Sequence, residues 1–166
     1  MSHKRQPNEE TKLLIYTLGT STRTLEEFLE ILQLKGITRI CDVRSFPGSR
    51  RYPHFSKDAL AASLEQAGIG YFWLGQKLGG FRKGGYETWM QTPEGAAGLL
   101  ELEEIASQAP TAIICAELVP WRCHRRFIAF ALEDRGWEVI HILDASRDWK
   151  FTRERENLQL EGTDSA

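Results

Sequence analysis

Five short apolar runs, Leu13–Leu18, Thr38–Val43, Ile69–Leu74, Thr111–Ala116 and Trp137–Leu143, are separated by segments of helical periodicity. That alternation constrains the fold more than any other feature of the chain. After the first run and Gly19, Thr24-Leu25-Glu26-Glu27 reads as a capping box opening a helix with Leu25, Phe28, Leu29 and Leu32 on one face, and Gly36 closes it. Ser56 is placed to cap a helix that buries Leu60 and Leu64 and ends at Gly68. Thr92-Pro93-Glu94 is a strong helix start, and this helix is expected to reach about Gln108. A further helix, from about Cys123, carries Phe127, Ile128, Ala131 and Leu132 and stops at Gly136. Between Gly75 and Trp89 the periodicity lapses and glycines cluster, which predicts a long loop with a short helix from Tyr86 to Met90.

Strands alternating with helices predict an α/β fold, a three-layer sandwich around a mainly parallel sheet of about five strands with right-handed crossovers. One domain over residues 12–149 is expected, with polar N-terminal (1–11) and C-terminal (150–166) tails. No apolar run approaches the roughly 20 residues of a membrane span, and the first dozen residues are too polar for a signal peptide. No membrane association and a cytoplasmic location are the expectations. Three cysteines without an export signal argue for free thiols.

In such sheets, ligands bind outside the carboxyl ends of the strands. The segments there are Gly19-Thr20-Ser21, Asp42-Val43-Arg44, Gly75–Gly85 and Cys115-Ala116-Glu117. The net charge of −2 gives no overall attraction to nucleic acid, but the basic residues segregate. Three stretches, Val43–Lys57, Gly75–Tyr86 and the part of Leu118–Arg126 holding Arg122, Arg125 and Arg126, carry cations without acids.

Cys123-His124-Arg125 is the sharpest local feature, because a thiol at a helix start beside cations favours its thiolate. Cys123 and Cys115 are therefore candidate nucleophiles, whereas Cys41, inside an apolar strand, reads as core. Glu117 has two readings: an ion pair with Arg125 or Arg44, or a general acid/base. Asp42 and Arg44 share a side of their strand end and suit either a ligand clamp or a salt bridge that fixes the following loop. Ser49, Arg50, Tyr52 and His54 form a basic, aromatic loop able to hold a phosphate and stack a base, with Ser21, His124 and Arg125 as further ligand contacts. Cys115, Cys123, His124 and Glu117 do not match the paired-cysteine spacing of zinc sites, and the dinucleotide and nucleoside-triphosphate glycine motifs are absent, so no cofactor is expected.

From about Leu14 to Asp144 the chain resembles the domain-of-unknown-function family 488. The resemblance rests on Tyr16-Thr17-Leu18-Gly19 with Ser21, Asp42-Val43-Arg44, Pro47-Gly48-Ser49-Arg50 with Pro53 and Phe55-Ser56, Leu78-Gly79-Gly80, and Cys115-Ala116-Glu117 with Pro120 and Cys123-His124-Arg125. It implies an α/β fold and a shared site without supplying a reaction. The family usually has histidine where this chain has Thr20. The residues themselves lead to an enzyme-like domain that binds a phosphate-bearing small molecule or a nucleic-acid end in a basic crevice, with cysteine-based chemistry. Two other readings stand beside it: a non-catalytic nucleotide or nucleic-acid binding module, and a metal-dependent domain.

Overall fold

The computed structural model describes residues 13–48 and 50–150. Both tails except Lys150, together with Lys12 of the expected domain and Ser49, lie outside the described residues. The chain runs β1 (Leu13–Gly19), α1 (Leu25–Leu34), β2 (Arg39–Asp42), α2 (Lys57–Gln66), β3 (Gly70–Trp73), α3 (Gly75–Leu78), α4 (Tyr86–Met90), α5 (Pro93–Gln108), β4 (Thr111–Cys115), α6 (Arg125–Asp134), β5 (Trp137–Ile142) and β6 (Asp148–Trp149). The strand order is β3-β2-β4-β1-β5-β6. The first five strands are parallel and β6 pairs antiparallel with β5, so the sheet has one strand more than the apolar runs predict. Only two residues long, β6 has no periodicity to read.

The two faces of the sheet build two cores. Leu18, Ile40 and Ile114 pack with Phe28, Leu32, Leu60 and Leu64 of α1 and α2. Ile15, Cys41 and Ile113 pack with Leu99 and Leu102 of α5 and with Ile128 and Leu132 of α6. This is a three-layer sandwich whose alternating strand residues serve opposite layers. Among the described residues no helix is long and apolar enough to cross a membrane.

The local signals act as their chemistry dictates, with three differences. Thr24 caps α1 by accepting from the Glu27 amide at 3.1 Å, and Thr92 caps α5 by accepting from the Gly95 amide at 3.2 Å. The reciprocal half of the Thr24–Glu27 box is not formed among the described residues. Ser56 stands at the N-cap of α2 without a side-chain cap bond, because its hydroxyl donates to the Pro53 carbonyl at 2.7 Å. The last helix starts at Arg125, two residues after Cys123, since Pro120–Arg122 forms a separate 3₁₀ turn.

Adjacent strands β1 and β4 lead into helices on opposite faces, α1 on one and α6 on the other. Their carboxyl ends thus form a topological switch point, where a crevice opens. The backbone closes tightly beneath it: the Thr20 amide donates to the Cys115 carbonyl at 2.8 Å and the Ser21 amide to the Ala116 carbonyl at 2.9 Å. A Cβ on Gly19 would stand 1.9 Å from the Glu117 carbonyl oxygen, so the approach of the two loops requires glycine there.

Candidate functional site

Parallel register brings Gly19 level with Cys115 and Asp42 level with Ile114, so the three strand ends meet at one edge. Two pockets adjoin there. One, of about 400 Å³, is lined by residues that include Arg44, Phe46, Phe81, Glu117, Arg122, Cys123 and His124. The other, about 330 Å³, includes Thr20, Ser21, Arg44, Phe46, Arg51 and Tyr52. They share Arg44, Phe46 and Ala116, so they lie side by side along one crevice edge, and each is of ligand-binding size.

On its floor Cys115 and Cys123 meet, with sulfurs 2.7 Å apart and both residues buried. The Cys123 sulfur also lies 3.5 Å from His124 Nδ1 and accepts from the Arg125 amide at 3.4 Å. Three polar groups thus converge on one sulfur. The hydrogen bond from the Cys115 thiol, aided by His124 and Arg125, pulls the Cys123 pKa well below the ordinary thiol range against the opposing effect of burial. Burial, followed by donation to Cys123, pushes Cys115 up. Cys41, fully buried in β2, is pushed by desolvation to about 12 and is core, as its strand position predicts.

His124 is oriented by a bond no local pattern reveals. Its Nε2 lies 2.8 Å from the Val43 carbonyl, 81 residues away in sequence, and its ring packs on Tyr86 with centroids 5.2 Å apart. A carbonyl only accepts, so Nε2 carries the proton and the Nδ1 of a neutral ring faces the thiol as an acceptor. This geometry lets His124 take the Cys123 proton.

Asp42 and Arg44 form a bidentate pair, with Arg44 Nε and Nη2 donating to the two carboxylate oxygens at 2.9 and 2.8 Å. The Arg44 amide and the Tyr71 hydroxyl donate to the same carboxylate at 3.1 and 2.6 Å. Burial alone would lower the Arg44 pKa, but hydrogen bonding to Asp42 and its charge outweigh it and raise the value. The Tyr71 phenol rises as well, through burial and then Asp42. Arg44 Nη1 takes no hydrogen bond among the described residues, and the side chain lines both pockets.

Arg125 has 0% of its surface exposed. It lies beneath the crevice, where it donates from Nη1 to the Thr17 hydroxyl at 3.1 Å and from Nη2 to the carbonyls of Glu117 and Leu118 at 2.7 and 3.3 Å. The Glu117 carboxylate is exposed on the crevice wall and pairs with neither Arg125 nor Arg44 among the described residues. His54 turns from the crevice to the Arg23 carbonyl at 2.9 Å and packs on Phe55; Arg50 is exposed. Ser21 lines the second pocket, and Ser49 lies outside the described residues. Thr20 is buried in that pocket's wall.

Sequence reasoning missed the two aromatic residues at the rim. Phe46 is 82% exposed and Phe81 95%. Phe81 and Ser21 are the two non-glycine residues with positive φ among those described, at 59° and 46°, and they sit in opposite pockets of the crevice. Backbone strain of this kind concentrates at functional sites. The signal available was a phenylalanine amid the glycines of Gly75–Gly85 and another directly before Pro47. Among the described residues no three or more His, Cys, Asp and Glu are grouped to hold a metal ion.

The mainly parallel sheet between two helical layers, with its switch-point crevice, defines a three-layer α/β domain. Residues 24–132 match the model of the domain of unknown function DUF488, and the chain belongs to that family. Neither a curated protein nor a solved structure matches the chain.

Proposed function

We propose that this chain is a cysteine-dependent enzyme that binds a phosphate-bearing small molecule of nucleotide type in the crevice, with Cys123 as its nucleophile. The observation that carries this reading is the convergence of the Cys115 thiol, the His124 ring and the Arg125 amide on the Cys123 sulfur. The thiolate attacks an electrophilic centre of the bound molecule, and His124, holding the thiol proton on Nδ1, returns it to the leaving group. Arg122 and the free edge of Arg44 meet the anion, with Arg51 at the far pocket. Phe46 and Phe81 offer faces for a planar ring. Glu117 is placed for proton transfer, while Asp42 positions Arg44, and Arg125 positions the loop that carries Glu117. A non-catalytic nucleotide-binding module is the second reading, favoured by the exposed rim phenylalanines.

Iodoacetamide mapping of the reduced protein tests the chemistry. Cys123 should alkylate ahead of Cys115 and Cys41 and stay reactive at pH 6, where a thiol of pKa about 8.5 is less than about 1% thiolate. A saturating nucleoside monophosphate should raise Tm and slow that alkylation, and Arg122→Ala should weaken the protection about tenfold. Alkylation at pH 6 no faster than a model thiol would remove the nucleophile. Ligand binding that leaves Cys123 unprotected would favour the binding module.

A further inference from the structure

The mechanism above uses one sulfur, yet the crevice floor holds two in contact. Cys115 closes β4 and Cys123 follows the 3₁₀ turn at Pro120–Arg122, so the eight-residue spacing folds back on itself. The loop is pinned from below by Arg125, which holds the Glu117 and Leu118 carbonyls. At 2.7 Å the sulfurs need approach by less than about 1 Å to reach the roughly 2.05 Å of a disulfide bond. Both also line the 400 Å³ pocket, which gives a small oxidant a path to them.

We propose that Cys115 and Cys123 are a reversible dithiol–disulfide pair oxidised by a hydroperoxide, Cys123 being the attacking cysteine and Cys115 the resolving one. The proposal rests on the reading of Cys123 as the crevice nucleophile and adds to it a second reactive residue and a second class of reactant. In the first step the Cys123 thiolate attacks the terminal oxygen of the hydroperoxide. An S–O bond forms, the O–O bond breaks, and the sulfur loses two electrons to the peroxide. The departing oxygen takes the proton held on His124 and leaves as water from hydrogen peroxide, or as an alcohol from an organic hydroperoxide. In the second step the Cys115 sulfur attacks the Cys123 sulfenic acid: the S–S bond forms, the S–O bond breaks, and the Cys115 proton leaves with the hydroxyl as water. The sum is two thiols and one hydrogen peroxide giving one disulfide and two waters. A small dithiol reductant restores the pair by exchange. Oxidation withdraws the crevice nucleophile, so the pair also silences the site.

The test reduces the full chain, removes the reductant, adds one equivalent of hydrogen peroxide and maps cysteine peptides by mass spectrometry. The expected result is a mass loss of two hydrogens in a linked Cys115–Cys123 peptide, reversed by dithiothreitol, with Cys41 unchanged. In Cys115→Ser, dimedone should trap a sulfenic acid on Cys123 at least tenfold more than in the wild type. Cys123→Ser should give no adduct on Cys115. Wild-type protein that shows no linked peptide, or that carries sulfinic acid on Cys123 instead, overturns the pair without recourse to any variant. A dimedone adduct on Cys115 in Cys123→Ser overturns the assignment of roles. Rapid iodoacetamide alkylation of Cys123 with no disulfide after peroxide would defeat the pair alone and leave the nucleophile standing. Slow alkylation at pH 6 would defeat the nucleophile itself.

Discussion

Arg125 shows how much a residue's surroundings change its meaning. In the sequence it is one of a cluster of cations beside Cys123, and its charge suggests an anion contact. In the fold it is buried under the crevice, and Thr17 and two backbone carbonyls occupy its Nη1 and Nη2. Nothing local distinguishes a buried arginine from a solvated one, because the carbonyls it satisfies lie in a loop whose path depends on the whole sheet edge. The Cys123-His124-Arg125 tripeptide was legible as a site through its residue types, whereas the tie from His124 to Val43 and the contact of the two sulfurs were not. Arg125→Ala should therefore act on stability first. It strands two carbonyls and leaves a cavity, and on the order of 3 kcal/mol or more should be lost. Urea unfolding measures this directly. A variant of unchanged stability that has lost only ligand affinity would return Arg125 to the role of a direct ligand contact.

At the scale of elements, strands and long helices were readable because each has its own period and punctuation. Thr24 and Thr92 cap their helices as written, and every apolar run became a parallel strand within about a residue of its expected ends. What escaped were short pieces held by tertiary contacts, such as α3, the 3₁₀ turn at Pro120–Arg122 and β6. The meeting of the β1 and β4 loops was also hidden, although Gly19 marks it. Its backbone sits where any side chain would collide with the Glu117 carbonyl and the Leu118 backbone. Both are backbone atoms, so relief requires the loop to move. Gly19→Ala should cost on the order of 2 kcal/mol and shift the Cys115–Cys123 loop, slowing Cys123 alkylation along with the loss in Tm. Alanine accepted with unchanged Tm and unchanged thiol reactivity would show that the loops are not in fixed contact.

Across the whole molecule, β5, β1 and α6 are joined by a buried polar chain that runs from His141 through Thr17 to Arg125. Arg125 donates to the Thr17 oxygen, and the Thr17 hydroxyl lies 2.6 Å from His141 Nδ1, to which it donates when the neutral ring carries its proton on Nε2. Burial above all, and then the Arg125 charge, pulls the His141 pKa down to about 3. In the unfolded chain the same ring titrates near 6.5. Between these values the unfolded state binds the extra proton, so stability rises with pH across the window. The neutral ring makes its full contribution above about pH 6.5, and this is progressively lost as pH falls toward 3, at up to about 1.4 kcal/mol per pH unit. Glutamine at this position can present an amide oxygen to the Thr17 hydroxyl but has no proton to gain. His141→Gln should therefore flatten the decline of unfolding free energy between pH 6.5 and 4.5, whatever it costs at pH 7.5. Urea unfolding of both proteins at half-unit pH steps gives the two slopes. Parallel slopes would mean that His141 takes up its proton in the folded state, with the Thr17 hydrogen bond reversed so that Thr17 accepts from both His141 and Arg125.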